Sequence, residues 1–151
     1  MTRGKLLEPV ARRLYEGLMG CKVPPVCCHH DEHPWLKASL DGYAGKVSLV
    51  VEIKAPNRDD HFKALLDKEV PEKYYWQVMH LLLVTGCRVC HYVSYSPQQS
   101  VANQRLAVVP VHTDKQALAW LLAEEKKFWA EVTAGRDELA GVNNAPTRTC
   151  Q

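Results

Sequence analysis

The chain has 151 residues, enough for one domain that buries its own core without disulfides or a structural metal. Hydrophobic residues make up 46% and charged residues 24%, which excludes disorder throughout, and a formal net charge of +2 excludes nucleic-acid binding by bulk charge alone. A carboxylate centre with a basic rim remains compatible, because the two signs cancel in the sum.

Leu6, Leu7, Val10, Leu14 and Leu18 recur at helical spacing and predict an amphipathic helix over residues 5–18, carrying Glu8, Arg12 and Arg13, with Gly17 and Gly20 as stops. Pro24-Pro25 breaks the chain, residues 26–30 read as a short strand, and a polar turn at 31–34 leads into a second strand over 35–40. Asp41-Gly42 is a turn signal that predicts a hairpin into a strand over 46–54. In that strand Val47, Leu49, Val51 and Ile53 take one face, and Ser48, Val50, Glu52 and Lys54 the other. A side-chain period of two therefore sets Glu52 beside Lys54, and the hairpin turn is expected to bring Asp41 back toward them.

Residues 59–68 read as a short helix or lid-like loop, and Pro71-Glu72 opens a longer helix that runs to Thr85 and stops at Gly86. Strands are predicted at Val89–Tyr95 and Leu106–Val111, joined by a polar loop at 96–104. Thr113 or Asp114 caps a last helix with Leu118, Leu121, Leu122, Glu125, Phe128, Trp129 and Val132 as its stripe. Periodicity ends at Gly135, so the expected organisation is a single domain over 1–135 and a flexible tail over 136–151. The order of helix, three strands, helix, two strands, helix predicts an α/β fold with a mixed central sheet flanked by helices. No apolar run reaches the roughly 20 residues a bilayer span requires. With no leader pattern at Met1 to Lys5, the six cysteines are expected to be reduced in a cytoplasmic protein.

Hydrolysing a phosphodiester at neutral pH calls for a cation that activates water and neutralises phosphate charge, and Mg2+ prefers oxygen ligands. Asp41 and Glu52 supply two carboxylates, the backbone carbonyl of Ile53 a third ligand, and Lys54 an ammonium that orients the nucleophile or stabilises the transition state. Taken by spacing alone, an Asp followed by Glu-x-Lys is a weak signal, because charges alternate on many strands.

The surrounding blocks add to it. Arg3 to Glu16 with Glu8, Ala38-Ser39-Leu40-Asp41-Gly42, Val51-Glu52-Ile53-Lys54-Ala55-Pro56, Tyr74-Tyr75-Trp76-Gln77-Val78, and Tyr92 to Pro97 occur in that order. Together they resemble the phage lambda exonuclease (YqaJ-like) family of recombination nucleases within the PD-(D/E)xK superfamily, with Leu40 in place of a proline and Ala55 in place of a cysteine. The resemblance implies a restriction-endonuclease-like fold and a Mg2+-dependent deoxyribonuclease, with Mn2+ as a substitute ion. That enzyme would be a 5′-to-3′ exonuclease acting on double-stranded DNA in a bacterial or phage-infected cell.

The resemblance also implies site roles. Glu8 would reach the ion's water shell or a second ion, and Gln77 would position the phosphate or the attacking water, against plainer readings as a solvated helix charge and a surface amide. Ser39, Arg12, Arg58, Lys63 and Tyr75 are the expected DNA contacts, although Tyr75 at the start of an amphipathic helix also reads as core and the basic residues as solvated surface. Members of the family carry an extra N-terminal helical segment that helps grip the 5′ phosphate, so this chain is expected to be a minimal version. A single-strand annealing protein and a trimeric assembly are the implied partners. Two other readings stay open: an endonuclease or resolvase using the same centre, and an inert DNA-binding module.

Cys27, Cys28, His29, His30, His33 and the Cys87-x-x-Cys90 pair suggest zinc by residue type. Adjacent strand residues point to opposite faces, which argues against convergence of the first four on one ion.

Overall fold

The computed structural model describes residues 3–143. The N-terminal periodicity produces α1 (Arg3–Met19), and after the Pro24-Pro25 break β1 (Val26–His29) and β2 (Lys37–Leu40) pair antiparallel, from Val26 opposite Leu40 to His29 opposite Lys37. This two-stranded ribbon stands apart from the main sheet.

The hairpin lies later in the chain than the Asp41-Gly42 signal predicts. The chain continues into β3 (Gly42–Ala44), turns through a short 3-10 stretch at Gly45–Val47 with Ser48 in the left-handed region (φ 55), and returns as β4 (Leu49–Lys54). Gly42 is a strand residue, and its missing side chain answers to packing: a Cβ there would lie 3.0 Å from the Val23 side chain and 3.1 Å from Val51 Cβ. Gly42→Ala is accordingly expected to cost about 1–3 kcal/mol through overpacking, read as a lower urea midpoint at unchanged m-value.

The main sheet has the order β3-β4-β5-β6, with β5 at Val89–Tyr95 and β6 at Leu106–His112. β4 and β5 run parallel, Glu52 opposite Tyr92 and Lys54 opposite Ser94, and the two outer pairs are antiparallel. The parallel connection requires a crossover, supplied by α2 (Arg58–Phe62), a wider turn at Lys63–Asp67 and α3 (Glu72–Thr85). Pro71 sits just outside α3 in an extended conformation, and Gly86 closes the helix at φ 64 with its N–H bonded to the Leu82 carbonyl at 3.0 Å.

Both faces of the sheet are covered, because a parallel pair with a helical crossover is enclosed. Ala11, Tyr15 and Val23 pack on Leu49, Val51, Ile53, Val93 and Tyr95, while Val78, Met79 and Leu82 of α3 pack on the Val50, Cys90 and Tyr92 side. The alternation of β4 therefore separates two interiors, where the sequence suggested an apolar and a polar face, and Val47 falls in the exposed turn before the strand. Glu52 is consequently an interior carboxylate.

Helix α4 (Lys115–Asn143) is capped by Asp114, whose Oδ1 accepts N–H bonds from Gln116 at 2.9 Å and Ala117 at 3.1 Å. It runs through Gly135 and on to Asn143, so residues 136–143 are helical where a tail was expected; 144–151 lie outside the described residues. At about 1.5 Å per residue the 29 residues of α4 outrun the 14 of α3, against which the helix packs. Only the N-terminal part of its stripe is covered: Leu121 is buried and Trp129 stacks on Trp35 of the ribbon at 5.6 Å, while Phe128 is 66% exposed. Among the described residues no helix is long and apolar enough to cross a membrane.

Candidate active site

Three elements bring the acidic and basic side chains together. The antiparallel register of Gly42 with Val51 carries Asp41 alongside the end of β4, where the Ile53 N–H donates to Asp41 Oδ2 at 2.8 Å. Strand alternation places Lys54 Nζ 2.6 Å from Glu52 Oε1. From α3, Gln77 Nε2 donates to that same oxygen at 2.6 Å, which fixes the Glu52 rotamer from a second direction. On the α1 side Glu8 and Arg12, one turn apart, form an ion pair, and Arg12 Nε donates to the Asp41 carbonyl at 2.6 Å. Arg12 is thus an internal strut that locks α1 to the β2–β3 corner.

These groups surround a cavity of about 280 Å³ whose walls include Lys5, Glu8, Asp41, Lys54, Tyr74 and Tyr95. Glu52, 2% exposed, lies within contact of Lys54 in the wall. Burial pushes the Glu52 carboxyl up to about 7, and the Asp41 charge adds to the rise against the opposing pull of Lys54. Asp41 is raised as well, chiefly by burial and further by Glu8, with the Ile53 N–H bond acting the other way. Glu8, Asp41 and Glu52 are matched in number by Lys5, Arg12 and Lys54, so it is chiefly burial that disfavours the ionised form of Asp41 and Glu52.

An oxygen-liganded cation favours the ionised form that burial opposes. Among the described residues no group of three or more His, Cys, Asp or Glu side chains is arranged to hold an ion, the Cys/His-rich segment included. His30 Nδ1 instead accepts the N–H groups of Glu32 and His33 at 3.1 and 3.3 Å, closing its own turn. Mg2+ does not need a closed protein cage, since it keeps several waters and takes one or two carboxylates with substrate oxygens. Asp41, Glu52 and the Ile53 carbonyl fit that mode, whereas a closed structural zinc site would need four side-chain ligands.

The sequence-derived DNA contacts fall in different places. Ser39 points outward from β2, within 3.8 Å of Cys27 Sγ. Tyr75 is half-buried, edge-on to Trp76 at 5.1 Å and packed against the core. Lys63 lies 3.4 Å from Glu69, and Arg58 is exposed with its guanidinium 5.4 Å from the Phe62 ring centroid. Arg12, expected at the DNA backbone, has its guanidinium engaged inside the fold. Tyr74, which the sequence offers with Tyr75 and Trp76 as a base-stacking or core aromatic and not as a site residue, lines the cavity with Lys54 Nζ 5.4 Å from its ring centroid. Its position three residues before Gln77, on the same helix face, was the available signal.

Comparison with known proteins bears on the family and the fold. Residues 1–88 match the YqaJ-like viral recombinase domain family. LHK-Exo, an alkaline exonuclease from Laribacter hongkongensis, is 27% identical with a TM-score of 0.84, the match covering 93% of this chain and 72% of that one. The structure of LHK-Exo in complex with dAMP matches at 27% identity and a TM-score of 0.81, over 91% of this chain and 70% of that one. A phage-related exonuclease from Haemophilus somnus 129PT, 13% identical with a TM-score of 0.61 over 87% of this chain and 71% of that one, shares the fold. No curated protein sequence matches this chain.

Proposed function

The chain belongs to the YqaJ-like viral recombinase family, and from that premise we propose that it is a Mg2+-dependent deoxyribonuclease acting on double-stranded DNA. We further propose that it degrades from an end, 5′ to 3′, in phage-type recombination. The observation that carries this reading is that Asp41 and Lys54 share one cavity wall with buried Glu52 2.6 Å from Lys54, its carboxyl pushed up to about 7 by burial and by its acidic neighbour. A buried carboxyl raised further by the charge of half-buried Asp41 is poorly satisfied as a structural pair and well suited to a divalent ion.

Mg2+, when bound, supplies Lewis acidity at the scissile phosphate. Asp41, Glu52 and the Ile53 carbonyl would hold it. Lys54 offers its N–H donors to the nucleophile or to the charge that develops on the phosphate. Gln77 keeps Glu52 in place, its Nε2 on Oε1 at 2.6 Å, and is itself within reach of the reacting phosphate in this reading. Glu8 lines the cavity with Arg12 as its partner, and in this reading would reach the water shell of the ion or a second ion. Exposed Arg58 and Ser39, and Lys63, are the proposed backbone contacts, with Tyr75 on the flank.

LHK-Exo binds dAMP, a mononucleotide of the kind an exonuclease releases, and the same class of product is proposed here. A homotrimer and a single-strand annealing partner complete the reading. Trp76 and Trp120, 45% and 53% exposed and in contact at 4.8 Å, leave apolar surface that assembly would cover. Light scattering of the purified protein reads the assembly directly.

The deciding experiment uses end-labelled linear duplex, with and without a 5′ phosphate, in Mg2+ or chelator, beside closed circular DNA. Mg2+-dependent release of mononucleotides from the 5′ end, with the circle intact, is expected. Nicking of the circle would replace the exonuclease by an endonuclease, and no cleavage of any substrate with Mg2+ would sink the nuclease reading.

A further inference from the structure

We propose that Tyr74 is the positioning residue for the Lys54 ammonium, holding it at the cavity through the face of its ring. The inference rests on the nuclease reading of the site and extends it to a residue that neither the family match nor the motif assigns.

Lys54 Nζ has two partners among the described residues, Glu52 Oε1 at 2.6 Å and the Tyr74 ring at 5.4 Å from its centroid. A cation bound by Glu52 competes directly with the first of these. An ammonium on a flexible four-carbon stem that loses its carboxylate is free to swing into solvent, and Lys54 has an exit, its side chain being 25% exposed. The ring attracts the same charge through its quadrupole and takes up no N–H donor in a directed bond, so Lys54 keeps donors for the nucleophile or the phosphate. A carboxylate in place of the ring would hold the charge but occupy a donor and add a third negative group.

The surroundings of Tyr74 suit this role. It belongs to the first turn of α3, three residues before Gln77, so one helix face presents one side chain to Glu52 and the other to Lys54. Tyr92, fully buried, stacks against it at 5.7 Å and restricts the ring. A second ammonium, Lys73 Nζ, also lies 5.0 Å from the ring centroid, but Asp60 Oδ2 at 2.5 Å from it balances that charge locally. The attraction left for Lys54 is therefore not cancelled by an uncompensated like charge at the ring.

The test is a series at position 74: Phe, mono-, di- and trifluorophenylalanine, and Leu. Fluorination drains the ring face with little change of shape, so a purely structural ring would not respond to it. On linear duplex with saturating Mg2+, kcat is expected to fall stepwise with fluorination and to stand roughly tenfold lower for Tyr74→Leu than for Tyr74→Phe. Duplex affinity with Ca2+ should stay constant across the series. A readout independent of turnover is the ring-current shift of the Lys54 Cε protons in the cation-free protein, expected upfield and lost in Tyr74→Leu. Equal kcat across the fluorinated set, or an effect confined to KM as a base-stacking platform would give, overturns the proposal. Should Leu unfold the protein, the isosteric fluorinated set still decides. Absence of cleavage by the unsubstituted protein would instead remove the nuclease reading itself, an outcome the ring-current measurement separates from a misplaced Lys54.

Discussion

Lys54→Ala is expected to lower kcat on linear duplex by about 10²- to 10³-fold while duplex affinity measured with Ca2+ changes little. The size follows from what the ammonium faces. It stands at the cavity wall beside a buried carboxylate, where a positive donor aimed at developing phosphate charge acts through fewer water molecules than it would on an open surface. Its removal has a side effect that the measurement must absorb: Lys54 opposes the rise of the Glu52 carboxyl, so the variant holds its proton more tightly and binds a cation less well near neutrality. The comparison therefore belongs at pH 8 and saturating Mg2+, where that difference is smallest. A variant within threefold of the parent under those conditions would show that Lys54 is only a structural partner of Glu52. Lys54→Arg keeps the charge but brings a planar fork in place of a compact ammonium, and should recover little of the loss.

Glu52→Gln should separate stability from function in opposite directions. In the cation-free protein burial has raised the Glu52 carboxyl from its ordinary 4.5 to about 7. A carboxyl with a raised folded value binds its proton more tightly folded than unfolded, so the protein has its full stability below pH 4.5. It loses stability as pH climbs, until Glu52 is ionised in both states above pH 7. A shift of that size, the opposing pull of Lys54 included, corresponds to about 3 kcal/mol. Glutamine keeps the shape without the charge. The variant is expected to match the parent in urea unfolding at pH 4.5, to exceed it by roughly 2–3 kcal/mol at pH 8 without cation, and to lose cleavage altogether. Mg2+ should restore stability to the parent alone, and its binding near pH 7 should release a fraction of a proton measurable by calorimetry in buffers of different ionisation enthalpy. A Glu52→Gln protein less stable than the parent at pH 8 would mean that the carboxylate is held by its neighbours, and the reading of an electrostatically strained site would fail.

Legibility in the sequence tracks how local each determinant is. Helices α1 and α3 and strands β5 and β6 follow periodicity, proline breaks and the Gly86 stop, all within one element, and the structure has each of them within a few residues of the expected bounds. The pairing of Glu52 with Lys54 is equally local, because it needs only a strand period. The hairpin was displaced because Asp41-Gly42 has the composition of a turn, and the constraint on Gly42 comes from Val23 and Val51, distant in sequence. The C-terminal helix was cut short because loss of an apolar stripe signals loss of burial, while helix formation continues over residues such as Arg136, Glu138 and Leu139 without it.

By itself, then, the amino-acid order determined which residue types stand within two positions of each other and which family's blocks they resemble, since both are properties of neighbouring residues. Only the tertiary structure decided that Asp41 meets Ile53, that Gln77 and Lys54 share one oxygen of Glu52, that Arg12 ties α1 to the Asp41 carbonyl, and that Tyr74 stands under the ammonium. Those contacts join residues 12 to 29 positions apart in most cases, and their energy comes from burying β4 on both faces. Enclosure of that strand by α1 and α3 turns a Glu-x-Lys alternation found on many solvated strands into a desolvated carboxyl beside an amine, raised further by the charge of Asp41.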